Sequence, residues 1–532
     1  MKKKFVLVML MACCLVMQGL FACTTFAVGK DATTDGSTMI SHTCDSNSDD
    51  FRLWMIPSMP TGTERDVVLN GRAGSDYSQF PEVKDYGPNA LVLDEYVPKK
   101  DTNQYLHSMY SFMNDKGLAM GESTAWYSGS TDQGKKLNLA FAKSEGIYDC
   151  YMLQDLALEN CSSAREAVLF MGKLLEDYGW NGSAEVINIC DGNETWILEA
   201  YGGNVWAAVR VPDNAVFVAA NRCRIREFDF NDSENYICSK YLKSFALEND
   251  LWDGVSEFSP ADIYCPYNGS YCTLREWRAM SLLNPSLNLD PNGDANEYPM
   301  FVVPAEKVSV DTIHKISSDY YEGTAYDCSR TVESGPFGNP LCNRNVYRTI
   351  NMFRCTYIQI ANVKAWLPEE ARCLVWFGYG APDSTYLTPL FASQKSIPDF
   401  YGVGERLLPY DENSGWWPCV GVQQTATINY DKAIEVIHNL RDPKMAEIYK
   451  TTAAAQNLAA SMINGGMEKE AVDFLTSYAN LTATDWHNTW NILKKDLDST
   501  LMLGNVDMKV PKAGDWWTEI VNENSENLKP MN

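Results

Sequence analysis

Histidine is scarce in this chain: His42, His107, His314, His438 and His487 are the five in 532 residues, and no two lie close in sequence. That scatter serves a histidine-built metal centre poorly, and no Cys-x-x-Cys pair offers a zinc site instead. Positive charge is scarce as well. Lys and Arg total 44 against 69 Asp and Glu, a formal charge of −25 with no basic cluster to reverse it locally. Such a polyanion is a poor partner for nucleic acid or an anionic membrane surface. Beyond the first twenty-odd residues no apolar run reaches the ~20 residues that a spanning helix needs. Internal repeats and long low-complexity linkers are missing too. What remains, with 45% hydrophobic and 12% aromatic residues, is a globular chain large enough to bury a sizeable core.

The N-terminus has a different character. Lys2 to Lys4 precede an apolar run from Phe5 to Met17, Gln18-Gly19 break it, and the small Ala22 stands directly before Cys23. That is the layout of a secretory leader over residues 1–22. It predicts export to the periplasm or the extracellular space, with no integral membrane segment after cleavage. Lipid anchoring is the rival reading. Leu20-Phe21-Ala22-Cys23 loosely fits a lipoprotein box with bulky Phe21 out of place, and Leu10-Met11-Ala12-Cys13 fits about as well. Of 16 cysteines, Cys13 and Cys14 leave with the leader. Setting Cys23 aside leaves an odd number, so at least one further thiol has no partner within the chain. Cys265/Cys272 and Cys342/Cys355 are candidate disulfides in an oxidising compartment.

Removal of residues 1–22 would give Cys23 a thiol and a free α-amine on one residue. An α-amine titrates near pH 8, so close to neutrality it can take the thiol's proton. Nucleophile and general base are then supplied together, and no distant histidine is required.

Segments such as "TTFAVG", "STMIS", "LAMGEST", "EVINIC", "TWILEAY", "VWAAVRV", "AVFVAAN", "YIQIANVKAW" and "RCLVWFGYG" are β-branched, aromatic or alternating, with turn residues around them, and read as strands. "SSAREAVLFMGKLLEDYGW" reads as a helix capped by Ser162 or Ser163, and from Tyr430 to about Asp498 the pattern is helical. Strands in bulk with helices outside them predict a layered α+β core. Asp290 to Glu297 alternates acids and amides as calcium loops do, but Ala295 stands where such a loop needs glycine. It reads as a surface turn, and no metal is expected.

"CTTFAVGKDATTDGSTMISHTCDS" resembles the mature N-terminus of the C69 dipeptidases, a family of N-terminal nucleophile (Ntn) amide hydrolases. The likeness runs through Cys23-Thr24-Thr25, Val28-Gly29-Lys30, Asp35-Gly36-Ser37 and Asp45, then Asp50, Arg52, Leu53 and Pro57. "MNDKGLAMGEST" is similar to a family segment that places Asn114, Gly117, Gly121 and Glu122. A later run places Trp196, Glu199, Trp206, Arg210 and Asn221, and the likeness extends in order to about Trp417.

The resemblance implies a four-layer αββα sandwich over residues 23–425. Residues 426–532 would add C-terminal helices, separate or integral to the same domain. It implies a cysteine dipeptidase acting on small peptides, with no metal or organic cofactor. Cys23 would be the nucleophile, Asp45 would hold its α-amine, and Asn114 and Asn221 would stabilise the oxyanion. His42, where relatives carry Arg, is expected to bind substrate, as are Arg52, a replacement cation, and Glu122, a receptor for a substrate ammonium. Arg348 in "VYRTIN" aligns too loosely with an arginine used in acylases of the superfamily for a role to be read from it. A homo-oligomer stays compatible with the sequence. Two rivals stand beside this reading. One is an N-acyl amide hydrolase of the penicillin or bile-salt acylase type, and the other a non-catalytic lipid-anchored surface binder.

Overall fold

The computed structural model describes residues 23–47, 49–62, 65–69, 91–96, 100–144, 146–342, 347–406 and 408–523. Residues 1–22, read from the sequence as a secretory leader, lie outside the described residues. Two antiparallel sheets form the core. The first has seven strands in the spatial order Phe301–Val302, Val216–Ala219, Thr25–Val28, Thr38–Asp45, Cys355–Val363, Cys373–Tyr379 and Thr388–Phe391. The second has eight, running Tyr236–Cys238, Val205–Arg210, Thr195–Gly202, Glu185–Cys190, Ala119–Thr124, Met113–Asn114, Tyr105–His107 and Trp54–Ile56. Every strand segment read from the sequence is among these. A two-stranded ribbon, Arg65–Leu69 with Leu91–Tyr96, stands apart.

The two sheets face each other. All eight residues of Thr38–Asp45 are buried, which a strand achieves only when both of its faces are covered. The amide of Gln359 crosses the gap to donate to the carbonyl of Met120 at 3.1 Å. Gly121 sets the spacing there: a Cβ at that position would lie 3.1 Å from His42 Cβ and 3.2 Å from the Ser41 carbonyl oxygen. The glycine thus lets Glu122 and His42, on different sheets, come within bonding distance.

Helices cover the outer faces. Ala164–Tyr178, capped by Ser163, whose hydroxyl accepts from the Glu166 N–H, lies over the second sheet. It packs so closely that a Cβ on Gly172 would overlap the Trp206 ring at 2.1 Å. Two long helices, Tyr430–Asn464 and Glu468–Thr500, cover the first sheet. Tyr449 meets Trp376 edge-on with ring centres 4.8 Å apart, and Trp486 stacks on Tyr386 at 4.8 Å. The longer helix runs unbroken through Pro443, joining what the sequence reads as two segments. Helices over Asp132–Phe141, Cys150–Asn160, Ser270–Leu283 and Val310–Ser317 add to those read from sequence. No helix among the described residues is long and apolar enough to cross a membrane.

The disulfide candidates are corrected: the fourteen described cysteines form no disulfide. The thiols are turned to backbone carbonyls instead, Cys272 to that of Asn221, Cys342 to those of Glu333 and Asn339, and Cys355 to that of Tyr357.

Candidate active site

Cys23 stands at the head of the Thr25–Val28 strand, with 2% of its surface exposed. Register then builds the site. Thr25 pairs with His42, and the Thr24 N–H donates to the Thr43 hydroxyl at 3.0 Å, which places the Cys23 end of one strand beside the His42–Asp45 end of the next. From the opposite sheet Glu122 reaches across. The Cys23 thiol donates to Glu122 Oε1 at 3.2 Å, and His42 Nε2 lies 3.1 Å from the same oxygen. One donor atom from each of Cys23, His42 and Glu122 falls within 4.8 Å of the other two. The side chains of His42 and Glu122 are buried, at 1% and 0% exposure.

A second glutamate completes the carboxylate arrangement. Thr124 pairs with Glu185 and Glu122 with Ile187, so Glu122 and Glu185 are diagonal neighbours on one face of their sheet. Burial, and then the charge of Glu122, holds Glu185 far above the usual carboxylate range. Burial pushes Glu122 the same way, but its bond to Glu185 and the nearby His42 outweigh that and hold it low. The pair therefore shares one proton: Glu185 keeps it and Glu122 is the anion. The Cys23 thiol is held well above its usual range by burial first, then by Glu122, with Cys44 and Asp45 adding to the effect.

Two arginines fix the surroundings. Arg275, fully buried on the Ser270–Leu283 helix, forks onto the N-terminal segment. Its Nη1 donates to the Cys23 carbonyl at 2.8 Å and the Thr24 hydroxyl at 3.1 Å, and its Nη2 donates to the Ala220 carbonyl and to Asn221 Oδ1 at 2.8 Å. Arg348 pairs with Asp45 Oδ2, and the same oxygen accepts from the Thr43 hydroxyl at 3.3 Å. Both members of that ion pair are buried.

The structure brings together Cys23, His42, Asp45, Glu122 and Asn221 of the residues expected from sequence. Asn221 holds a left-handed φ of 62°. Its side-chain amide donates one hydrogen to the Thr124 carbonyl at 2.7 Å, which leaves the second for another acceptor. Asn114 and Arg52 are placed differently. Asn114 donates both amide hydrogens, to the Leu158 and Cys161 carbonyls, while its oxygen accepts from Lys116 and Leu118. That pattern staples a turn to the neighbouring helix and leaves no hydrogen for an oxyanion. Arg52 forks onto Asp50, with its shortest bond 2.6 Å, and stacks over Trp54. Arg275 and Glu185 are the site residues that sequence reasoning missed. Two arginines stand in "TLREWRAM", and nothing in the sequence distinguishes Arg275 as a clamp from a side chain on a solvated helix face. Arg348 had only a loose alignment in the resemblance and no role read from it; its bond to Asp45 gives it a place.

Two other groupings do not form comparable chemistry. Ser111 and Asp155 both meet His107 on its Nδ1 side, where a relay would need them on opposite ring nitrogens. The carboxylates of Asp290 and Asp294 accept backbone N–H groups of Asn292 and Asn296, as turn caps do.

A buried thiol hydrogen-bonded to a carboxylate, at the head of a central strand in a two-sheet α+β core, defines a candidate nucleophile-bearing hydrolase site. Comparison with known proteins narrows it. Residues 22–442 match the model of Peptidase family C69. The chain is 31% identical over 388 residues to "Probable dipeptidase A" of Streptococcus pyogenes serotype M1, covering 72% of this chain and 77% of that one. It is 28% identical over 408 residues to "Dipeptidase" of Bifidobacterium longum, covering 71% and 72%. With "Dipeptidase A" of Lactobacillus helveticus it shares 24% over 492 residues, covering 90% and 96%. The chain belongs to peptidase family C69.

Proposed function

We propose that this protein is an exported dipeptidase of Ntn type and αββα architecture, in which removal of residues 1–22 frees Cys23 to act as nucleophile. The placement of Cys23 carries the reading. Its thiol meets Glu122 and His42, its carbonyl is held by Arg275, and the family match starts one residue ahead of it. The names of the relatives supply the substrate class.

The freed α-amine takes the Sγ proton as the sulfur attacks the scissile carbonyl, which answers the burial that otherwise keeps this thiol neutral. In this reading the remaining amide hydrogen of Asn221 donates to the developing oxyanion, an interaction worth about 3 kcal/mol in comparable sites. The leaving amine takes the proton, and water then hydrolyses the thioester. Arg275 keeps Cys23 and Asn221 in register by bonding to both. Glu122, an anion beside the thiol, suits the ammonium of an unblocked substrate better than an acylated amine, and this separates the reading from an N-acyl amide hydrolase.

Intact mass and N-terminal sequencing of the exported protein test the first step, and the expected species is an unmodified chain starting at Cys23. Cys23→Ala is expected to abolish hydrolysis of unblocked dipeptides, and N-acetylated dipeptides to be poor substrates of the unaltered enzyme. A diacylglyceryl adduct on Cys23, or full activity in Cys23→Ala, would sink the mechanism. The proximity of His42 favours a second reading of the base, with the imidazole taking the proton. One alanine inserted ahead of Cys23 separates the two: it keeps the thiol and His42 but removes the amine, so retained activity would assign the base to His42.

A further inference from the structure

The donor set around Cys23 has a second capacity. Thiolate, imidazole and carboxylate together form a zinc-type ligand set. In a tetrahedral site, bonds of about 2.3 Å to sulfur and about 2.1 Å to nitrogen and oxygen imply ligand-to-ligand edges of about 3.4–3.6 Å. The observed edges are 3.2 Å from Cys23 Sγ to Glu122 Oε1 and 3.1 Å from His42 Nε2 to the same oxygen. The third edge, Cys23 Sγ to His42 Nε2, lies within 4.8 Å, and a few tenths of an ångström of expansion along the two Glu122 edges would bring those donors to ligand spacing.

An independent observation concerns how the atoms are aimed. His42 Nε2 is buried and within bonding distance of Glu122, yet among the described residues it makes no hydrogen bond of acceptable alignment. Such an atom costs free energy unless something else satisfies it. A cation enclosed by the three donors would do so, because ligand lone pairs converge on a common centre and not on one another. The supporting groups are also in place: Glu122 Oε2 accepts from the Thr124 hydroxyl at 3.4 Å, and Glu185 bonds to the same carboxylate, as outer partners of a ligand carboxylate do.

We propose that the Cys23–His42–Glu122 cluster is also a binding site for one thiophilic divalent cation of the Zn²⁺ type, and that its occupancy reversibly silences the nucleophile. Binding breaks the Sγ–H bond and forms a metal–sulfur bond; the proton passes to solvent and no electron moves. The three side chains supply the basic site. The fourth ligand, the α-amine of Cys23 closing a five-membered chelate with its own sulfur, rests on the processing proposed above. The ion is an inhibitor here, because coordination withdraws charge from the thiolate and lowers its nucleophilicity, and it ties up the α-amine that would otherwise serve as base.

The test uses the exported, processed protein, stripped with a chelator and titrated with Zn²⁺ and with Co²⁺. One Zn²⁺ per chain is expected, together with a thiolate-to-cobalt charge-transfer absorption. Dipeptide hydrolysis should be lost in step with occupancy and restored by chelator. His42→Asn and Glu122→Gln should each weaken Zn²⁺ binding at least about tenfold, and Cys23→Ala should abolish the cobalt band. The proposal is overturned by absence of that band in the unaltered protein, a readout that requires no variant to fold. It is equally overturned by wild-type affinity in His42→Asn. Activity in chelator that Zn²⁺ leaves untouched would remove the metal site and keep the dipeptidase. A bound metal with the cobalt band, but no hydrolysis in chelator, would do the reverse.

Discussion

Asp45 occupies a position in which one carboxylate serves two partners. Its bond to Arg348 is a buried ion pair, and deleting one member of such a pair costs about 3–5 kcal/mol because the other charge is left unmatched. Asp45→Asn is therefore expected to destabilise the protein by that amount and to lose activity, an outcome that by itself does not separate the roles. The double variant Asp45→Asn with Arg348→Met does. It removes the stranded guanidinium, so urea unfolding should return most of the lost stability, while dipeptide hydrolysis stays absent if Asp45 also holds the α-amine. Recovery of both would reduce Asp45 to a counter-ion. This part of the site was legible because Cys23, His42 and Asp45 lie on two adjacent strands, where short sequence spacing translates directly into neighbourhood. Glu122 was legible through its motif. Glu185 and Arg275 were not, because a diagonal contact within a sheet and a fork from a distant helix leave no spacing to read. Asn114 misled for the converse reason, since an amide that caps a turn and one that faces an oxyanion look alike in sequence.

The secondary structure was legible wherever periodicity was clean, and the strands and the Ser163-capped helix follow from it. Cys150–Asn160 escaped because nine of its eleven residues are buried, which erases the polar face that marks a helix. The Val310–Ser317 helix carries a consequence for pH. His314 in this helix is buried, and its Nε2 donates to the Pro382 carbonyl at 2.9 Å, which requires a proton on that nitrogen. Burial, then Arg441, pushes its pKa down from 6.5 to about 3. The folded state thus resists a proton that the unfolded chain accepts. The contribution is complete above pH 6.5 and is lost progressively as pH falls toward 3, at about 1.4 kcal/mol per unit. Between pH 7.5 and 5 it amounts to about 2 kcal/mol. Asp49 opposes it. Raised by burial to about 6, it favours the folded state at low pH, and that contribution is lost as pH rises through 6. The comparison is therefore made between variants. His314→Gln, which still offers an N–H to Pro382, should lose about 2 kcal/mol less than wild type over that interval in urea titrations. Parallel pH profiles would contradict the assignment.

At the scale of the whole molecule the question is whether the C-terminal helices are an appendage or a layer. The contacts favour a layer. Trp486 and Trp490 are fully buried, and both pack against Tyr386 of the sheet side. Gln456 donates to the Ala371 carbonyl at 2.7 Å, and Gln394 is bonded to Asn480. Arg441, near the start of the longer helix, donates to the Asp383 carbonyl at 2.5 Å, while Tyr430 and His438 bond the Asp383 carboxylate. A chain ending at residue 425 would therefore strip one face of the seven-stranded sheet, exposing Trp376 and Tyr386 and leaving the Asp383 carboxylate without these partners. Such a truncation is expected to aggregate when expressed, and the full chain to unfold in a single calorimetric transition that includes the helices. Trp486→Ala should lower the stability of the entire molecule by about 3–5 kcal/mol, the cost of an aromatic removed from a packed core, and should shift that transition without splitting it. Two separated transitions, with Trp486→Ala moving only one of them, would make the helices an independent module. The active site would then be complete without them, because Cys23, His42 and Glu122 lie between the two sheets and draw no ligand from the C-terminal layer.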